Sequence, residues 1–216
     1  MARKTQAATG KRTTSPFERV FGAVLELAKE HGWRNVSLAD IAERSGLSLA
    51  EVHAVAPSRT AIVAGLIADV DRRVLKGGAP DPEDSPRDRL FDLLMRRFDA
   101  LSSQREGIVA LTEGCRDDPL TFLCAAPQAM RSMALMLEMA GIPAIGIRGL
   151  LRTQGLAVVA ACAFRAWLQD DSPDMAKTMA ALDKGLARAE SLAGWLRVGR
   201  NRMSSYRKDS EAPVRG

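Results

Sequence analysis

The sequence predicts an all-α protein, with a small helical head followed by a larger helical body. Three observations predict it. Apolar residues recur at three- and four-residue spacing through most of the chain, from Phe17 to Leu196. The periodic runs open on helix-capping serines, Ser15, Ser37, Ser48, Ser58 and Ser85, and several close on glycine, at Gly32, Gly46 and Gly77. No run alternates apolar and polar residues as a strand would, and no internal repeat is present. About nine helices are expected.

Residues 1–14 carry Arg3, Lys4, Lys11 and Arg12 with no acid, and read as a flexible basic arm. Ser15-Pro16-Phe17-Glu18 opens the first helix with a capping box and a proline at the first helical position. Its apolar face is Phe17, Val20, Phe21, Val24 and Ala28, and Gly32 ends it before Trp33. The stretch Ser37 to Arg59, SLADIAERSGLSLAEVHAVAPSR, then reads as two short helices around Ser45-Gly46. Ser37 and Ser48 cap them, and Glu51 stands three residues after Ser48, the capping-box spacing. Pro57-Ser58 stops the second and caps a longer helix that runs to about Lys76. Two short helices around a glycine turn form a helix-turn-helix, whose second helix fits a DNA major groove. The head with its connecting helix is placed at 15–76.

The Gly-, Pro- and acid-rich loop 77–86 is the best internal boundary. The body, 87–197, starts with a helix carrying Leu90, Phe91, Leu94, Phe98 and Leu101 inward. A shorter helix follows at about 106–115. Asp118-Pro119 opens another, Pro127 opens a Met-rich run to Gly141, and 144–170 is a long apolar helix. Ser172-Pro173 starts the last, with a seam of Met175, Met179, Leu182, Leu186, Ala189, Ala193 and Leu196. The tail 198–216 is polar and basic.

The composition is globular, 46% hydrophobic and 26% charged, with formal charge +5 and pI near 9.4. Modest basicity suits a nucleic-acid or anionic-membrane partner. Three cysteines, Cys115, Cys124 and Cys162, without a CxxC pair read as reduced core thiols of a cytoplasmic protein. No leader is evident, and no stretch reaches about 18 uninterrupted apolar residues, the length of a membrane helix. Two histidines, no nucleophile–base pair, no phosphate loop and no metal-ligand spacing argue against an enzyme, a cofactor or a metal.

A capped first helix ending HGW, then VSLADIAERSGLSLAEVHAVAPSR, then an all-helical remainder: the chain resembles the TetR family of transcriptional regulators. The motif-level likeness covers roughly residues 15–65. It implies a three-helix DNA-binding head, a ligand-binding and dimerisation body, and a homodimeric repressor released from a palindromic operator by a small ligand. The recognition helix departs from the family pattern. Glu51, Val52-His53 and Val55-Ala56 stand where hydroxyl and aromatic residues are usual. The chain is also similar to the lipid-binding family of ubiquinone biosynthesis, in HGW, in Gly46-Leu47-Ser48 and in Asp170–Asp174. That likeness implies an accessory protein that keeps the fold, binds isoprenoid lipid, contacts membrane and has lost specific DNA binding. Trp195, Val198, Met203 and Tyr206 offer only a weak version of its membrane helix.

Site expectations follow. Ser37, Ser48, His53 and Arg59 are expected to meet phosphates, with Leu49, Ala50 and Ala54 near base edges. Glu51 is expected to cap rather than to contact DNA. Phe91, Leu94, Phe98, Phe122, Met130, Met133, Leu137, Phe164 and Trp167 are expected to wall a pocket for an apolar ligand, methionine being adaptable. Core packing is the plainer role of the methionines. The last two helices are expected to form a two-fold interface, through Met179, Leu182, Leu186, Ala189 and Ala193 together with the apolar run Leu156–Ala163.

Overall fold

A computed structural model describes residues 15–116 and 119–193, without the side chains at 116, 119–122 and 192–193. The basic arm, the basic tail, Phe122, Ala193 and Trp195 therefore lie outside the described residues or side chains. Nine α-helices and one 3₁₀ turn make up the described chain, which contains no strand. They are α1 (Pro16–His31), the turn Trp33–Asn35, α2 (Leu38–Ser45), α3 (Leu49–Val55) and α4 (Arg59–Lys76). The body holds α5 (Pro86–Ser102), α6 (Arg105–Arg116), α7 (Pro119–Met139), α8 (Gly146–Trp167) and α9 (Ala176–Ala193).

The expected caps form. Ser15 accepts from the Glu18 amide and Glu18 reaches back to the Ser15 amide, closing the box at α1. One break does not occur where the sequence places it: Pro127 lies inside α7. Proline removes one helical hydrogen bond and crowds the carbonyl four residues back. Pro127 and Leu123 are both exposed, so water can take the freed carbonyl.

A single apolar cluster runs from head to body. Val20, Val24, Trp33, Ile41, Val52 and Ile62 fill the head; Leu90, Leu94, Met136, Leu137, Leu156, Trp167, Leu182 and Leu186 fill the body. Helix α6 is the joint. Gly107 and Gly114, two turns apart, let it lie close on α1 and the 3₁₀ turn. A Cβ at either would stand 2.6 Å from Leu25 Cβ or Trp33 Cβ. Lys29 of α1 adds an ion pair to Glu106 at 2.6 Å. The connecting helix α4 is tied to the body by a buried carboxylate. Asp71 accepts from Arg97 of α5 and, at 2.6 Å, from the Ser132 hydroxyl of α7.

Two sequence expectations about the body are corrected here, the core place of the cysteines, since Cys124 and Cys162 are exposed, and the part of α9 in an interface. Leu182 and Leu186 have no exposed surface, so they are core residues of one chain and offer nothing to a second copy. Met179 and Ala189 are half-buried. The residues expected around a pocket largely pack on one another. Leu94, Phe98, Met133, Leu137 and Trp167 are buried, and Phe91, Met130 and Phe164 half-buried. Trp167 stacks on Phe164 at 5.6 Å and on Phe98 at 6.3 Å between ring centres.

The α8–α9 corner is held by Asp170. Its carboxylate accepts from the Thr178 amide and hydroxyl, each at 2.8 Å, and from Ser172. Burial alone would raise its pKa, but the bonds from Ser172 and Thr178 outweigh that and hold it well below the usual carboxylate range. Arg105 of α6 reaches the same corner, donating to the carbonyls of Trp167, Leu168 and Asp170.

Candidate nucleic-acid interface

Helices α2 and α3 meet through Gly46, whose φ of +63° is left-handed, the conformation a sharp helix end needs. Both helices carry a closed capping box. At α3 the Glu51 amide donates to Ser48 Oγ, while the Ser48 amide and hydroxyl donate to Glu51 at 2.8 and 2.7 Å. Asp40 closes the same box with Ser37 at α2, although aspartate is one carbon shorter than the usual glutamate. The Ser48 hydroxyl first, and then its amide, holds the Glu51 carboxyl below its ordinary range. The cap is therefore ionised at neutral pH. Its contribution is lost only as pH falls through that lowered value.

The turn itself is gripped from α1. Arg19 donates to the Ser45 carbonyl at 2.6 and 3.0 Å and to the Gly46 carbonyl at 2.8 Å. These are the carbonyls a helix C-terminus leaves open. Arg44 pins α2 to α1 through a two-pronged pair with Glu30, at 2.5 and 2.9 Å. Neither contact was legible in the sequence, because the partners stand 26 and 14 residues away.

With Val52 and Ala56 buried, α3 turns Leu49, Ala50, His53 and Ala54 to solvent. Ser37 and Ser48 are exposed at the two helix starts, on the same helix-turn-helix. Their hydroxyl protons are directed at Asp40 and Glu51. The structure thus brings six of the seven expected DNA residues onto exposed surface. Arg59 behaves differently. Its guanidinium donates to the Trp33 carbonyl at 2.6 Å and the Arg34 carbonyl at 3.0 Å, and lies 4.5 Å from the centre of the Trp33 ring. It clamps α4 to the turn after α1. Arg59→Ala is expected to cost about 1–3 kcal/mol of stability, as lost charged hydrogen bonds and a cation–π contact do. The dependence of DNA binding on salt should stay as in wild type, and denaturant melts beside salt titrations will separate the two.

No family model matches the sequence, and no curated protein matches it significantly. Solved structures do. A TetR transcriptional regulator from Nitrosomonas europaea superposes with a TM-score of 0.64 at 22% identity, over 83% of this chain and 98% of that one. A TetR transcriptional regulator from a Rhodococcus species gives 0.59 at 20% identity, over 80% and 93%. Identity at this level speaks to architecture, and together with the framed helix-turn-helix it places the chain in the TetR fold.

Proposed function

We propose that the protein is a TetR-type transcriptional regulator. In this reading it is a homodimer that binds a palindromic double-stranded operator and is released as a repressor by an apolar, uncharged or weakly acidic ligand. The observation that carries the reading is the head. Two capping boxes, a left-handed Gly46 and the Arg19 grip spend several polar groups on holding α3 at a fixed angle. Meanwhile α3 keeps a smooth exposed face of Leu49, Ala50, His53 and Ala54. A helix braced in this way, with its outer face left free, suits a groove-reading role.

The outer face of α8 supports the dimer. Ile147, Leu151, Gln154 and Val158 follow one another at four- and three-residue spacing and are exposed, with Leu150 beside them. Leu150, Leu151 and Val158 are 53, 61 and 64% exposed. A run of large apolar side chains on one helix face is the kind of surface a second copy covers. The ligand reading draws on Met133 and Met136 of α7, adaptable side chains buried in the body, with Met130 and Met139 half-buried on the same helix.

Two observations favour the second reading, a lipid-binding accessory protein that has lost operator binding. Residues 15–58, from α1 to α3, contain six carboxylates and only four Lys or Arg, so this part of the head is acidic overall. Helix α8 is also the one helix among the described residues long and apolar enough to cross a membrane by length and composition. Footprinting of the full-length protein on the DNA upstream of its own gene separates the readings. A protected palindrome is the expected result. Absence of salt-dependent binding to any genomic fragment at low ionic strength overturns the regulator and leaves the lipid-binding protein.

A further inference from the structure

Several arginines of α4, α5 and α6 have an anionic partner or several acceptors. Arg73, Arg87, Arg96 and Arg97 pair with Asp69, Asp183, Asp92 and Asp71, and Arg105 has three carbonyls and Asp171. Arg89 and Arg152 do not. Each is 7% exposed, and each has an Nε atom that is buried without a partner, as Arg59 and Arg105 also do; what sets these two apart is the lack of both an anion and a set of acceptors. The acceptor that Arg89 has is the Pro82 carbonyl, at a long 3.5 Å. Arg152 donates to the Pro143 carbonyl at 2.9 Å. Neither has a carboxylate within 4 Å among the described residues. Nearby acids are committed elsewhere: Asp88 to Ser85, and Glu138 to the Ala144 amide.

Both side chains lie against the same α7–α8 linker. A Cβ on Gly141 would stand 3.7 to 4.0 Å from three atoms of the Arg89 guanidinium, so that group lies across the bare face of the glycine. Arg152 reaches the linker two residues on, at Pro143. A guanidinium stays protonated wherever it is placed, and a buried cation without an anion is strongly disfavoured. Arg89 is also in the first turn of α5, where the helix dipole opposes a cation and favours an anion.

We propose that Arg89 and Arg152 form a binding site for a carboxylate or phosphate group at the α7–α8 linker, distinct from the Met- and Phe-rich centre of the body. Two planar forks suit the oxygens of either group. The inference stands on these two side chains and is independent of DNA binding.

The test is thermal melting of the full-length protein with sodium octanoate or inorganic phosphate. Octanol, and sodium chloride at matched ionic strength, are the controls. A saturable rise in Tm with at least one anion, beyond both controls, is expected. Response to octanoate alone assigns a carboxylate, and response to phosphate alone a phosphate. Arg89→Met and Arg152→Met should each weaken the response at least about tenfold, while Arg165→Met, on the exposed side of α8, should keep it. NMR spectra of the arginine Nε–Hε groups of the wild type read the same contact without substitution: two protected signals should move with the anion. No rise beyond chloride with either anion, or stationary Nε–Hε signals, overturns the site. A wild type that still protects its operator under those conditions shows that the site alone has failed.

Discussion

Leu182→Glu is expected to unfold the body, whereas Leu150→Glu with Leu151→Glu is expected to yield a folded monomer. Leu182 is completely buried among α9, α8 and α5, so the substitution removes a packed leucine and leaves a carboxylate without a partner. Lost packing costs about 2–5 kcal/mol, and the unpaired buried charge costs several more. Together these approach the whole stability of a domain, about 5–15 kcal/mol. Leu150 and Leu151 are more than half exposed, and charge there costs the single chain little. Sedimentation and circular dichroism on both variants check the pair of outcomes. A wild type that sediments as a monomer at micromolar concentration removes the dimer. A Leu182→Glu protein that stays folded and becomes monomeric restores α9 as the interface.

Removing residues 1–14 is expected to eliminate most of the salt-dependent DNA affinity. The arm supplies four cations and no acid. The head offers little to replace them. Lys29 and Arg44 are paired with Glu106 and Glu30, and Arg19 is turned onto the Ser45 and Gly46 carbonyls. Each phosphate neutralised contributes about 0.9 to the slope of log affinity against log salt, so the truncation should lower that slope by about 3–4. Fluorescence anisotropy on operator and non-operator duplexes, across a salt series, measures it. The loss should be similar on both duplexes, because phosphate contacts carry no sequence information. If the truncated protein keeps its slope, the affinity comes from the helix-turn-helix surface and the electrostatic account is wrong.

Much of the fold was legible because the signals that carry it are local. A serine cap and the acid three residues on lie within one helical turn, as do Ser48 and Glu51. A glycine that ends a helix acts through its own backbone, as Gly46 does. The helices, their order and the helix-turn-helix follow from such interactions, and the sequence by itself determined them. The fate of each charged or apolar side chain did not follow. Periodicity says that one face of α9 is buried but not which surface buries it, and α8 and α5 of the same chain take Leu182 and Leu186. Helical spacing puts Arg59 at the start of α4, but only the approach of Trp33, 26 residues earlier, turns its guanidinium inward. Pro127 reads as a break until its exposure shows that solvent can take the freed carbonyl. Arg89 and Arg152 are unremarkable in sequence, and their want of an anion emerges only when α5, α8 and the α7–α8 linker come together. Tertiary structure decided these points because a charge or an apolar face is satisfied by whatever lies within a few ångströms, and distant segments of the chain supply it.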